Sequence, residues 1–517
     1  MHAHPPSARR FHPRAAIIPL LALTIALPGL GAAAAETAAD TAFTGSHGAW
    51  HGFDRYDFVM DTTTLAPVPF TPPPGERDGI GAPKPGTRRC VIVVPREAAP
   101  GKPWSWRGCY WDHQPQTEIE LLRRGWHIGY VSADANLKPG PEWDAWYAFL
   151  TAQHGLSPKP AFIGMSRGGE YGLTWAAGHP DRVACVYADN PGGSHDLLLR
   201  FGELPANDVP LLLVCGSIDP LLGRFALPFE SAYQQAGGRV SVLIKEGAGH
   251  HPHSLRDPKP LADWITQNAV PPAIPTPDFV PAKHTRTWFY SSRSDYRDFP
   301  AEQNHLTCRG AAFVPCHPRY AFELPGVEGA TTVIAPLTPA PGRPWVFRAD
   351  LVARDAAVDL ALLERGFHIV TGPVSYNADG PIVAHWNKVY EHLTAHGFST
   401  KPVLAGAGGA AGEALNWAIQ NPDKTACVYA ENPVFRSRNP DHSLLENLAP
   451  LAKLGVPLLA VCGARDPWLE PQSRAAERNY HALGGTMTLL VREGEGHFLQ
   501  PTRDVTPMLD FIASRTR

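Results

Sequence analysis

The chain reads as two α/β domains in tandem, each a mostly parallel sheet with helices on both faces. Three observations predict this. The 517 residues exceed what one core usually holds and suit two domains of about 230–240 residues. Short apolar, β-branched runs alternate with helix-period segments, the pattern of a parallel sheet with crossover helices. The second half also repeats the first: segment 160–191 (PAFIGMSRGGEYGLTWAAGHPDRVACVYADNP) aligns without a gap to 402–433 (PVLAGAGGAAGEALNWAIQNPDKTACVYAENP), the mark of an internal duplication.

In chain order, residues 1–35 carry Arg9, Arg10 and Arg14, an apolar run from Ala15 to Leu30, and Ala33-Ala34-Ala35 before Glu36. That is the layout of a cleaved secretory signal, with twin-arginine export hinted by Arg9-Arg10-Phe11. The mature chain is expected to begin near Glu36 and to be secreted or periplasmic. An uncleaved membrane anchor is the alternative, disfavoured by a short run broken at Pro19 and Pro28.

The first domain, 36–270, then alternates strand and helix. RCVIVVP, WHIGYVSA, PAFIGMS, ACVYADN, VPLLLVCG and VSVLIKEG have the short, β-branched character of buried strands. TEIELLRRG, PEWDAWYAFLTAQHG, RGGEYGLTWAAGHP, SAYQQAGG and PLADWITQNA have the spacing of helices between them. The Pro-rich stretch 271–282 (PPAIPTPDFVPA) is the expected linker, and 283–517 the second domain. Ordered matches support the repeat: KPWSWR (102–107) with RPWVFR (343–348), LLRRGWHI (121–128) with LLERGFHI (362–369), VCGSIDP (214–220) with VCGARDP (461–467), and EGAGH (246–250) with EGEGH (493–497).

In such a sheet, active groups lie on loops at the carboxyl ends of strands. Gly164-Met165-Ser166-Arg167-Gly168-Gly169 reads as a strand-to-helix turn that presents Ser166 as a nucleophile. A serine hydroxyl needs an imidazole within reach and an acid to fix the imidazole tautomer. Asp219, after LLLVCG, and His250, in the Gly-rich turn after VSVLIKEG, supply them in the order Ser, Asp, His. Asp189 is a rival acid at the end of the preceding strand, and His251 and His253 are neighbours that could instead be solvated. An oxyanion would need two amide donors. Arg167 is one candidate, and the other is expected near Trp106-Arg107. Arg107, Trp104 and Trp111 are candidate substrate contacts, with Arg167 able to face a carboxylate or hydroxyls and Tyr110 in the same aromatic loop, although aromatic clusters also serve simple packing.

The second copy keeps the acid and base positions as Asp466 and His497, but Gly408 stands where the nucleophile would be. It is therefore expected to be a degenerate, non-catalytic domain with a structural use.

The net charge of −3 and the lack of a basic run past the N-terminus argue against nucleic acid as a partner. No later segment is apolar enough to span a bilayer, so no membrane contact is expected after signal cleavage. Oligomeric state is left open. The eight cysteines suit an oxidising compartment. Cys308 with Cys316, and Cys90 with Cys109, are possible bridges, while Cys185, Cys215, Cys427 and Cys462 read equally well as buried thiols. No CxxC or closely spaced Cys/His set speaks for a metal, and no cofactor is expected.

On the elbow (164–169), the PWSWR loop (103–107) and the GHHPHSL turn (249–255), the first copy resembles the α/β-hydrolase superfamily, and within it exported bacterial hydrolases with a GMSRGG elbow. The second copy departs at the elbow and carries GHFLQP at 496–501. The Ser-Arg pair is also similar to the GxSRxG of glucuronoyl esterases. The resemblance implies two tandem α/β-hydrolase domains and a serine hydrolase cleaving carboxylic esters of small molecules or glycans. A serine peptidase of the prolyl-oligopeptidase type is the alternative, weakened by the lack of propeller repeats, and a non-catalytic binding scaffold is a third possibility.

Overall fold

The computed structural model describes residues 43–73, 84–132, 139–200, 202–269, 274–290, 306–310, 316–349, 356–372, 382–435, 443–498 and 504–516. All of these belong to one compact unit, Phe43–Arg517. The expected leader, 1–35, and residues 271–273 of the expected linker lie outside the described residues.

Two sheets organise the chain. The first contains β1 (Ser46–Trp50), β2 (Phe53–Asp61), β3 (Pro67–Pro69), β4 (Thr87–Val94), β5 (Trp104–Arg107), β6 (His127–Val131), β7 (Ala161–Met165), β8 (Cys185–Asp189), β9 (Leu211–Gly216) and β10 (Val240–Lys245). The second begins with β11 (Thr285–Phe289). After β12 (Leu306–Gly310), it continues with β13 (His317–Phe322), β14 (Thr331–Ile334), β15 (Trp345–Arg348), β16 (His368–Thr371), β17 (Val403–Ala407), β18 (Cys427–Glu431), β19 (Leu458–Gly463) and β20 (Met487–Arg492).

The first sheet runs β1-β2-β4-β6-β5-β7-β8-β9-β10-β12, with β3 beside β2, and the second runs β11-β13-β14-β16-β15-β17-β18-β19-β20. The same swap of two strands before the strand that leads into the glycine-rich turn, β6-β5-β7 and β16-β15-β17, occurs in both. From β6 to β10 and from β16 to β20 the pairing is parallel, and the strands before them are antiparallel. Parallel strands are covered on both faces, so β6, β7, β8 and β9 are buried at every position and are apolar but for His127, Tyr130, Tyr187 and Asp189.

WSWR, expected to be a loop, is the central strand β5, with all four residues buried. Trp106 is fully buried, stacked on Trp104, Trp143 and Phe162 and tilted against Trp175, with ring centroids 5.0–5.3 Å apart. Trp111 is buried against Trp50 and Tyr130. The Trp106 group and the Trp111 group belong to two separate core clusters, their rings in offset-stacked or tilted arrangements suited to their quadrupoles.

The halves are not cleanly separated at residue 283. β12 leaves the second half to pair antiparallel with β10, covering what would otherwise be the open edge of the first sheet. β11 docks close by: Asp208 accepts from Arg286 (2.8 Å) and from the Trp288 indole, and the Tyr290 hydroxyl donates to the Gly238 carbonyl (2.9 Å). The end of the Pro-rich stretch is not a free linker either, because Phe279 and Val280 are buried in the core of the second half. Cys90 and Cys109 are both free thiols, so the bridge considered between them is not made. The side chain of Cys308 lies outside the described residues, and with it the Cys308–Cys316 pairing.

Candidate active site

The site starts from a backbone conformation. Ser166 sits between β7 and the helix Arg167–Gly178 at φ 52°, ψ −119°, where an L-residue is strained. The surroundings hold it there: its amide donates to the Asp189 carbonyl (2.9 Å), and its carbonyl accepts from Gly192 (3.0 Å). The turn is possible only because backbones meet without side chains between them. A Cβ on Gly164 would lie 2.3 Å from the Gly168 carbonyl oxygen, and one on Gly108 equally close to the same atom.

This places the Ser166 hydroxyl at the carboxyl end of the sheet, 3.1 Å from Nε2 of His250. Nδ1 of the same ring is 2.8 Å from Oδ2 of Asp219. The network assigns the tautomer: Nδ1–H donates to the carboxylate and Nε2 accepts the serine proton. Asp219 is buried, which opposes its ionisation, but the Leu221 amide (3.0 Å), the Asn190 amide group and His250 outweigh burial and hold it below the ordinary carboxylate value. Ser166 and His250 remain partly accessible.

Asn190 was not singled out by sequence. At φ 45°, its side chain donates to Asp219 and to the Gly249 carbonyl (3.2 Å), tying the acid to the histidine turn. The signal was present as the repeated ADNP and AENP, since Asn432 holds the same conformation at φ 40° and donates to the His497 carbonyl.

Asp189, the rival acid, does not reach His250. It is fully buried and accepts from Tyr187 (2.7 Å), Lys245 (3.0 Å), His253 (3.1 Å) and the Ser254 amide (2.7 Å). Burial raises its pKa, but His253, Lys245 and Tyr187 more than offset this, and the net shift is downward.

The oxyanion and substrate assignments need correction. Trp106 and Arg107 lie within β5, between β6 and β7, so neither can offer a free amide to the cleft. Arg107, Trp104 and Trp111 are buried and cannot touch substrate. Arg107 instead binds Glu118 and donates to the carbonyls of Cys109 (3.1 Å) and Tyr110 (3.0 Å), shaping the loop that follows β5. In that loop the Cys109 amide nitrogen lies against the elbow helix, 2.9 Å from where a Cβ on Gly168 would be. The amides of Cys109 and Arg167 have no protein acceptor among the described residues, which leaves both available as donors. The Arg167 side chain is exposed beside Ser166.

The same loop brings in a residue sequence reasoning passed over. His113 lies beside His251 and His253, and the three imidazoles offer nitrogens within 4.8 Å of one another. Partial desolvation together with neighbouring cationic groups lowers the pKa of both His113 and His251.

In the second copy, His497 Nδ1 lies 3.1 Å from both oxygens of Asp466, so the acid–base pair is assembled. Gly408 repeats the elbow backbone at φ 54°, and a Cβ there would lie 3.9 Å from His497 Nε2. The turn and the room for a nucleophile persist, and the nucleophile does not.

The strand order and the elbow after β7 decide the fold. This is the α/β-hydrolase fold, present in both halves. No family model matches the chain, and no curated protein does. Solved structures similar to part of it include Est1E from Butyrivibrio proteoclasticus (12% identity over 38% of this chain and 97% of that one, TM-score 0.29). An S-formylglutathione hydrolase from Staphylococcus aureus is similar at 14% identity, over 39% and 98% of the two chains, with TM-score 0.30. A dipeptidyl aminopeptidase IV candidate from Bacteroides ovatus is similar at 14% identity and TM-score 0.31; the match takes in 38% of this chain and only 35% of that one. Each likeness takes in less than half of the chain, and the chemistry below rests on site geometry instead.

Proposed function

We propose that the protein is an exported serine hydrolase that cleaves carboxylic esters through an acyl-enzyme in its first domain. The observation that carries this is the His250 ring bridging Ser166 Oγ and Asp219 Oδ2. Ser166 attacks the ester carbonyl as His250 takes its proton, and Asp219 orients the ring and stabilises its charge. The amides of Arg167 and Cys109 donate to the tetrahedral oxyanion, where fixed dipoles stabilise charge without reorganisation. His250 then returns the proton to the departing alcohol, and water, deprotonated by the same ring, releases the acid and restores Ser166.

The exposed guanidinium of Arg167 beside the nucleophile favours a polar or acidic ester, such as an acyl or methyl ester on a glycan. The second domain is a duplicate whose elbow has lost its serine. Glycine occupies a positive-φ turn without the cost of about 1–3 kcal/mol borne by other residues, so a copy released from catalysis gains stability from that exchange. Its strand β12 and the contacts of β11 support a structural role for this copy.

The test is turnover by the mature protein on acetylated, methyl-esterified and feruloylated glycans, set against aminoacyl p-nitroanilides. Faster ester cleavage is expected. Preferential cleavage of the anilides would favour a peptidase, and no turnover of either in folded protein would favour a binding scaffold.

A further inference from the structure

The three histidines at the mouth of the triad have no part in the acyl-transfer steps. His253 Nδ1 is engaged by Asp189 Oδ1 (3.1 Å), which leaves Nε2 as its free nitrogen. A carboxylate behind an imidazole is the arrangement that fixes ring orientation and raises basicity in metal-binding histidines. The two segments that carry the cluster are pinned together. Gln114 Oε1 accepts from the His253 amide (2.6 Å), Thr117 and Ser254 join their hydroxyls (3.1 Å), and the His113 carbonyl accepts from Arg107. His250 packs 5.1 Å from both His251 and His253, centroid to centroid, but its nitrogens are committed to Ser166 and Asp219.

We propose that His113, His251 and His253 form a mononuclear site for a divalent transition ion such as Zn²⁺, beside and separate from the catalytic triad. Zinc–imidazole bonds of about 2.0–2.1 Å require ligand nitrogens roughly 3.4 Å apart in a tetrahedron. The spread of up to 4.8 Å closes by rotation of His113 and His251, whose side chains are exposed, toward the fixed His253. Three neutral imidazoles select a borderline ion over Ca²⁺ or Mg²⁺ and leave a fourth position open to water or a ligand oxygen. The second copy makes the contrast within one chain. Phe498 and Gln500 stand in place of His251 and His253, and Arg354, six residues past Arg348 as His113 is six past Arg107, replaces the third histidine.

The site is tested on the full chain, stripped with a chelator and titrated with Zn²⁺ by calorimetry and with Co²⁺ by visible absorption. One ion per chain is expected, with tetrahedral Co²⁺ bands. His113→Ala and His251→Ala should each weaken binding by roughly 10-fold or more, and the double variant should lose the stoichiometric site with an unchanged Tm. Both substitutions fall on exposed side chains and leave the Asp189–His253 contact in place. Absence of one-to-one binding in the unmodified chain, or unchanged affinity in the double variant, would overturn the proposal.

Discussion

Ser166→Ala is expected to lower kcat by roughly 10⁴-fold or more while leaving the protein folded. Alanine carries the same Cβ as serine, so the positive-φ turn at φ 52° bears the same strain and the elbow keeps its shape. What is lost is the oxygen 3.1 Å from His250 Nε2. The second domain cannot compensate, because its Asp466–His497 pair faces the side-chain-free Gly408. The variant is checked by steady-state kinetics on the best ester substrate, with Tm as the folding control. Near-native turnover in a folded variant would exclude Ser166 as the nucleophile.

Asp219→Asn should have an effect of similar size, roughly 10⁴-fold on kcat: an amide that keeps its oxygen on the Leu221 N–H turns its –NH2 toward His250, so Nδ1 must accept instead of donate and the imidazole is left in the wrong tautomer. Its comparison is Asp189→Asn. The structure gives that change a different kind of consequence. Asp189 is the buried partner of Lys245 and His253, and neutralising it leaves the Lys245 ammonium uncompensated, which costs roughly 3–5 kcal/mol. Asp219→Asn is thus expected to lower kcat with a small change in Tm, and Asp189→Asn to lower Tm substantially. The downward pKa shift at Asp189 has a defined sign: its contribution to stability is present above the ordinary aspartate value of 3.8 and is lost as pH falls through the lower folded value. In the Asn variant that acid-dependent part should vanish from the pH–stability curve.

The contrast also shows what the amino-acid order could and could not convey. The elbow was legible because steric need leaves a local trace, glycines at fixed offsets around one serine, and because Ser166, Asp219 and His250 each follow the carboxyl end of an apolar strand, β7, β9 and β10. Asp219 and His250 were legible as partners of Ser166 from their order after consecutive strands. PWSWR misled for a physical reason. A strand buried on both faces shows no alternation, and four residues are too few to separate a core strand from an aromatic loop, so sequence leaves substrate contact and core packing both open for Trp104 and Trp111, and the structure puts both in the core. The Cys109 amide, the role of Asn190 and the meeting of His113 with His251 and His253 depend on long-range approach, which leaves no local pattern. The return of β12 to the first sheet is hidden likewise, since nothing in LTCRG tells which sheet edge it will pair with.

The most direct measurement of the central claim is labelling of the folded full chain with a fluorophosphonate, followed by peptide mapping. Such a probe forms a stable bond only with a serine activated by its imidazole and oxyanion donors. The predicted result is one label per chain, on Ser166, abolished by Ser166→Ala. Label on any other residue, or a folded chain that takes up none, would contradict the assignment of this site as the catalytic centre.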